Sequence, residues 1–417
     1  MIVLYDDARA RRFEPFATTR PISELRAGAL LGRERWQLVL DAKATGFVSA
    51  PHLHGFEEFT APRAVDTVIP AECWLVNSRA LPSLAPHDLT SAVRIIRVNG
   101  EIAAVRLTDA LPVQALADGT VALATLAPTA GATLSLAGRW LEAPWDLVRD
   151  LPAQLTDDLP ALAERWGVPR LLPADNPHHA AVMGSAPVWC AEDVVMEPYV
   201  VCDTSGGPIF LDRGVRVQAF TRLAGPCYVG PESVILGGRI AAASIGEQCR
   251  VHGELSMSVL VGHANKGHDG FVGHSVLGRW VNLGAGTITS NLKNTYGVVT
   301  MWQPGGMVST GLQFAGSLLG DHVKTGIGLR LPTGTVVGAG ACVMDQMPPK
   351  VVPPFAWGTG APYGPFAREK FLDTAARMMT RRQVILSAEQ RDGLAAMYDQ
   401  ARSDDRWPDA AMAPADR

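Results

Sequence analysis

The sequence lacks several features whose absence narrows its function. Its six cysteines (Cys73, Cys190, Cys202, Cys227, Cys249, Cys342) form no Cys-x-x-Cys pair. That argues against cysteine-held structural zinc and for a reduced, cytoplasmic protein. Neither sign of charge is in excess. Thirty-seven Lys+Arg face 41 Asp+Glu, net −4, so no basic field recruits nucleic acid or anionic lipid. A long apolar run is also missing. The longest uncharged stretch, Asn294 to Gly320, is interrupted by six glycines and Pro304 and is too polar to span a bilayer. The opening Met-Ile-Val-Leu-Tyr-Asp-Asp is acidic by its sixth residue, unlike a secretory signal. With 47% hydrophobic and 19% charged residues over 417 positions, extended disorder is excluded and two or three domains are expected.

What is present is unevenly spread. Between Gly206 and Gly340 lie 27 of the 41 glycines, marking a segment of many tight turns. In that segment Leu211, Val217, Leu223, Val229 and Ile235 recur every six residues, and Val188, Val194 and Val200 do so upstream. Neither a 3.6-residue helix nor a period-2 strand needs a repeat of six. A parallel β-helix does, each short strand giving one inward residue before a corner. Val272-Gly273, Leu283-Gly284, Leu319-Gly320 and Val337-Gly338 punctuate later coils.

The segment before it mixes short apolar runs with helical patterns, which favours an α/β layer architecture. Met1–Tyr5, Cys73–Val76 and Val93–Val98 read as strands, with Asn99-Gly100 as a hairpin turn to Ile102. Glu24–Leu40 and Trp145–Trp166 read as helices. Pro169, Pro173, Pro177 and Pro187 mark a linker that also holds His178-His179. After Pro348, Pro349, Pro353 and Pro354, Phe366–Arg382 is amphipathic, and Ser387-Ala-Glu-Gln390 is a capping box. Two short helices are expected to close the open end of the prism. The expected divisions are 1–168, a linker 169–187, a β-helix 188–348 and a helical extension 349–417.

Five of the ten histidines fall between His252 and His322. The densest stretch, Val261-Gly-His-Ala-Asn-Lys-Gly-His-Asp-Gly-Phe-Val-Gly-His274, breaks the hexad rhythm and is expected to leave the coil as a loop. The neighbouring stretch from Val281 to Asn294 is rich in small residues and amides, suited to a ligand held against the backbone.

Here the residues carry a resemblance. Asn282-Leu-Gly-Ala-Gly-Thr-Ile-Thr-Ser-Asn291, preceded by Lys266-Gly-His-Asp-Gly-Phe-Val-Gly-His274, resembles the acetyltransferase half of the bifunctional N-acetylglucosamine-1-phosphate uridyltransferase / glucosamine-1-phosphate acetyltransferase family. The whole chain resembles a short bacterial branch of it, in which Thr19-Arg-Pro-Ile-Ser-Glu-Leu-Arg26 and Pro144-Trp-Asp-Leu147 also have counterparts. The resemblance implies an α/β nucleotidyltransferase-like N-terminal domain, a left-handed parallel β-helix of hexapeptide repeats and a short helical tail. It implies a homotrimer that binds acetyl-CoA between prisms and acetylates an amino-sugar phosphate. His268 stands at the family's catalytic base, Asn282 and Asn291 at its sugar-binding asparagines, and Ala285 where backbone meets acetyl-CoA. Direct acyl transfer fits a histidine base, which can take the proton of an attacking amine, and needs no cysteine nucleophile.

The sequence also departs from the family. Phe271 and Leu292 replace tyrosines, the former at the sugar, and Ile327 replaces a serine at the cofactor. No upstream Lys/Arg phosphate-binding pair aligns, and Lys266 is its nearest substitute. In the N-terminal half, Leu4-Tyr-Asp-Asp-Ala-Arg9 lacks the family's glycine-rich phosphate loop, and Leu75-Val-Asn-Ser-Arg79 lacks its magnesium-binding aspartate. Either Asp6, Asp7, Arg9, Arg20 and Arg26 rebuild a phosphate site, with magnesium only if that domain is active, or the domain binds and scaffolds. Arg20 and Arg26 could alternatively pair with Glu24 and Asp6 on the surface. Two rival readings differ in class. One is a non-catalytic nucleotide-sugar-binding or regulatory scaffold. The other is a zinc hydrolyase of the β-helix carbonic anhydrase type, using His263-x4-His268, which metal analysis would detect.

Overall fold

The computed structural model describes residues 1–171, 180–404 and 406–408. Pro173, Pro177 and His178-His179 lie outside the described residues.

The N-terminal unit is built on β1 (Ile2–Tyr5), β2 (Ala44–Val48), β3 (Trp74–Asn77), β4 (Val93–Val98), β5 (Glu101–Arg106) and β6 (Ala132–Leu136). They form one twisted sheet in the order β6-β4-β5-β3-β1-β2. β1 runs parallel to β2 and β3, β6 runs parallel to β4, and β5 is antiparallel to both its neighbours. Helix α1 (Gly32–Leu40) starts later than the expected helix from Glu24. The intervening residues form a tiny hairpin, Arg26–Ala27 on Leu30–Leu31, because Gly28 turns the chain at φ +66°. A Cβ on Gly28 would stand 2.2 Å from Asp158 Oδ2, so only glycine fits. The region expected as one helix from Trp145 is a single turn, Asp146–Arg149, followed by α2 (Leu151–Trp166), which ends on left-handed Gly167.

The second unit is a left-handed parallel β-helix of about ten turns. Its strands run from Ala181–Met183 to Ala356–Gly358, so the coil begins before residue 188 and continues past 348. Leu211, Val217, Leu223, Val229 and Ile235 all point inward and are at most 1% exposed. Leu211 stacks on Val229 and Val217 on Ile235, residues 18 apart. Upstream, the inward residues are Cys190, Met196 and Cys202, aligned with Leu211, Val217 and Leu223. Val188, by contrast, aligns with Ile209, so the upstream valines belong to a companion buried column. The loop at Asp203–Pro208 shifts the hexad phase between the two series.

The histidine-rich stretch stays within the coil, contributing strands Asn265–Lys266 and Phe271–Gly273. The excursion comes afterwards. Residues 292–314 leave the prism and fold an antiparallel hairpin, Thr300–Gln303 on Gly306–Ser309.

Both sides of the nine-stranded face are buried. Its outward residues Phe210, Tyr228, Val259, Val276, Leu318 and Val336 share one apolar cluster with Phe16, Leu25, Leu151 and Leu155 of the N-terminal unit. Helix α2 packs directly on strands Ile209–Leu211 and Cys227–Val229.

The C-terminal helices α3 (Arg368–Thr380) and α4 (Ala388–Ser403) do not close the prism's end. Phe371 of α3 meets Phe355 and His322, while Arg382 just beyond it reaches the Gln248 carbonyl, three coils before His322. The helix therefore runs back along one corner of the stack. That corner carries His263, Trp280, His322 and Phe355, all at positive φ, and its rings need covering. Helix α4 then touches the N-terminal unit at Pro51–Leu53.

Candidate active site

A different corner of the prism carries the His268 turn. Strand Asn265–Lys266 leads into Gly267-His268-Asp269-Gly270, and Phe271–Gly273 leaves it. An open cleft of about 810 Å³ runs along this corner, lined by His252, His268, Asp269, Ala285, Gly286 and Ile327 among others. His268 and Ala285 are thus brought into one cleft. Gly328 also lines it and faces open space, so backbone is accessible to a ligand. His252 Nδ1 lies 3.2 Å from Asp269 Oδ1, within ion-pair distance although not aligned as a hydrogen bond. Ile327 stands 81% exposed at the cleft.

The other expected ligand residues, Lys266, Phe271, Asn282 and Asn291, do not line this cleft. Phe271 and Asn291 converge over Gly273, where a Cβ would come within 2.3 Å of Phe271 Cζ and 2.8 Å of Asn291 Nδ2. The Asn291 amide donates to His274 Nδ1 at 2.8 Å, and the His274 ring stacks on Phe314 at 5.3 Å. Burial lowers the His274 pKa, favouring the neutral ring. Asn282 does not line the His268 cleft. It accepts from Asn265 Nδ2 at 2.8 Å and borders a small cavity with His263, Arg381 and Arg382.

Lys266 requires a correction. It is 2% exposed and points into the prism, so it does not replace the missing phosphate-binding pair. Its Nζ donates to the His252 carbonyl at 2.7 Å and to the His268 carbonyl. Lys266 continues the inward column of Val217, Ile235 and Val251, but sequence spacing did not show it, because the interval along that column shortens from 18 residues to 16 and then 15.

His263 and His268 do not share an ion. His263 sits on the α3-covered corner, stacked on Phe59 at 4.7 Å and tilted against Trp280 at 4.2 Å. Burial, reinforced by Arg279, lowers its pKa to about 4. Among the described residues, no three His, Cys, Asp or Glu side chains are grouped to hold a metal.

In the N-terminal unit, an open cleft of about 780 Å³ lies at the carboxyl ends of β1 and β3, where open α/β sheets bind ligands. Asp7, Arg9, Asn77, Arg79, Arg97 and Trp140 line it. Arg9 is exposed and ion-paired with Glu142. Arg79, which the sequence reading did not single out, grips Asp7 with Nε at 3.0 Å and Nη2 at 2.8 Å, and Asn77 donates to the same carboxylate. Asp6 is buried beneath, receiving Ser49 Oγ and the Ile22 amide, and burial raises its pKa to about 6. These carboxylates do not fit a magnesium ion: one is occupied by a guanidinium and the other is enclosed.

Arg20 and Arg26 also require correction. Both are buried at the junction of the two units, 1% and 3% exposed. Arg20 pairs with Asp321 at 2.7 Å and Glu58 at 2.9 Å, and Arg26 with Glu247 at 3.1 Å. Arg279 joins the network through Glu58 and Glu247. Glu24 and Asp6 are not their ion-pair partners: Glu24 pairs with Arg33, and Asp6 forms none among the described residues. Burial opposes ionisation of Glu247, but Arg279 and Arg26 outweigh it and hold its pKa far below the ordinary range. A phosphate has no free guanidinium to meet here.

Residues 2–166 match the family model of a sugar nucleotidyl transferase. The bifunctional protein GlmU of Nitrosospira multiformis is 26% identical over 188 residues, covering 39% of this chain and 37% of that one. The bifunctional sugar-1-phosphate nucleotidylyltransferase/acetyltransferase of Sulfurisphaera tokodaii is 30% identical over 112 residues, 27% of this chain and 26% of the other. Parts of the chain are similar to these bifunctional transferases. The chain covers about a third of the length of the first of them and a quarter of the second. Among solved structures, an Arabidopsis UDP-N-acetylglucosamine acyltransferase aligns with 54% of this chain and 95% of that chain, at 14% identity and a TM-score of 0.22. That likeness is too low to carry an argument, so the site rests on its own geometry. Among the described residues no helix is long and apolar enough to cross a membrane.

Proposed function

We propose that the solenoid transfers acetyl from acetyl-CoA to the amino group of an amino-sugar phosphate, with His268 as general base. The observation that carries this is the shared cleft of His268 and Ala285, with accessible backbone at Gly286 and Gly328. The neutral amine attacks the thioester carbonyl, a C–N bond forms, and the C–S bond breaks to release the CoA thiolate. His268 takes the amine proton and can return it to the thiolate. Acetyl-CoA meets small residues and backbone, while Phe271 and Asn291, three and 23 positions beyond His268, offer a ring and an amide to the acceptor.

Removing a general base typically costs about 10²–10⁴-fold in rate. His268→Ala is expected to lose turnover on that scale while keeping acetyl-CoA affinity. Wild-type turnover in His268→Asn, with an acceptor the native chain acetylates, would overturn the assignment.

A cleft at a prism corner is completed most simply by a neighbouring copy in a closed ring. The exposed Ile327 and Met344 on successive coils support a homotrimer of about 133 kDa, three chains of 44.4 kDa. Light scattering tests this, and a fully active monomer would contradict it.

The match to sugar nucleotidyl transferases supports a nucleotide-directed role for the N-terminal cleft, with Arg9 and Arg97 as its phosphate contacts. Sugar-1-phosphate nucleotidyl transfer is tested by pyrophosphate exchange over a panel of nucleoside triphosphates and sugar 1-phosphates, with and without magnesium. Silence across the panel would leave this unit as a scaffold.

A further inference from the structure

The column that fills the third face of the prism is aliphatic at Val217, Ile235 and Val251, and then the chain places Lys266 in it. Among the described residues Lys266 forms no ion pair. Asp269 is the carboxylate whose charge reaches it, and that side chain is 90% exposed. An ammonium in such a place carries a desolvation cost that an aliphatic side chain avoids. Burial pulls its pKa down to about 8. Packing alone therefore does not account for a lysine here.

Its two acceptors do. The Nζ holds the carbonyls of His252 and His268, residues on successive coils that both line the cleft. The turn it grips is otherwise loosely determined. Gly267 and Gly270 flank His268 and Asp269, and Gly270 sits at φ +127°. Glycine on both sides leaves the backbone many alternatives.

We propose that Lys266 is the positioning residue of the His268 turn: from inside the prism its ammonium ties two coils together at the cleft and fixes where the His268 imidazole stands. The inference rests on the acetyl-transfer reading, and its test separates the two.

The test compares Lys266→Met with the unaltered full chain. The aliphatic replacement is expected to match or exceed it in thermal stability. Hydrogen exchange is expected to rise at residues 267–270 and not in the coil at 281–289. With a competent acceptor, kcat should fall about 10²-fold, the scale of a 1 Å misplacement, while KM for acetyl-CoA stays constant. In Lys266→Ala, ethylammonium should restore part of kcat and tetramethylammonium, which has no N–H, should not. Unchanged exchange at 267–270 with unchanged kcat overturns the inference. So does a loss of kcat accompanied by raised exchange in every coil, which would mark general destabilisation. If the unaltered chain acetylates nothing, the acetyl-transfer reading fails. Exchange then decides alone whether Lys266 fixes the turn, and no rise at 267–270 overturns the tether as well.

Discussion

Glu14 is a carboxyl group with little to favour its charge. It is 2% exposed, accepts from Thr18 Oγ1 at 2.6 Å and has Arg406 no nearer than 3.8 Å. Burial raises its pKa from 4.5 to about 7, against the opposing pull of Thr18 and Arg406, with Asp404 adding to the rise. Between those two pH values the folded chain holds a proton that the unfolded chain has released. Stability from this group is therefore present below about pH 4.5 and lost as pH rises to about 7. Glu14→Gln keeps an oxygen for Thr18 and cannot ionise. It is expected to gain on the order of 3 kcal/mol relative to the native chain at pH 8 and almost nothing at pH 4. Denaturant titrations at the two pH values check this, and a pH-independent difference would refute it. Single residues of this kind were the least legible in the sequence. That His268 and Ala285 lie in one cleft could be anticipated from their motif, because the turn and its neighbour are close in the chain. The pairing of Arg20 and Arg26 could not, because their partners Asp321 and Glu247 are more than 200 positions away. Lys266 was misread because the coils shorten from 18 to 16 and 15 residues just before it, so the six-residue period no longer marks the inward column.

At the scale of elements, a fixed six-residue period with apolar inward residues leaves one architecture, which is why the solenoid was legible. Its phase shift near residue 205 and the excursion at 292–314 were not, since insertions carry no period of their own. The amphipathic pattern of α3 showed its existence and most of its buried face: of Phe371, Leu372, Ala375, Met378 and Met379, all but the half-buried Met378 are buried. It said nothing of the surface that face would meet. That surface is a corner of left-handed residues whose rings stand out from the coil, and Phe371 is its main anchor. The ring lies 4.9 Å from Phe355 and 5.7 Å from His322. Truncating a buried phenylalanine costs about 3–5 kcal/mol. Phe371→Ala is expected to raise hydrogen exchange through α3 and α4 while the coils from 209 to 260 remain protected. Equal loss of protection along the whole solenoid would mean that the helices hold the prism together rather than cover one corner of it.

The whole molecule is joined by the face that a free-standing β-helix would expose to water. The N-terminal unit buries that face with an apolar cluster, and its Arg20, Arg26 and Glu58 close the edge against Arg279, Glu247 and Asp321 of the solenoid. The sheet and the coils should therefore unfold together. Asp321 is the sharpest probe, since it accepts from Arg20 Nε, the Thr19 hydroxyl and the Arg279 amide, each at 2.7 Å. Removing one member of a buried ion pair costs about 3–5 kcal/mol, because the partner charge stays behind without compensation. Asp321→Ala is expected to lose that much in a single transition, seen at one midpoint by probes in both units. Arg20→Ala should also destabilise, whereas an arginine holding a nucleotide phosphate would lower pyrophosphate exchange at constant stability. Asp321 lies more than 100 positions beyond the family-matched segment, so its effect on that segment separates a shared core from a tethered domain. If Asp321→Ala leaves the melting of residues 2–166 untouched while the solenoid loses stability, the two units fold independently and the junction is a contact rather than a core.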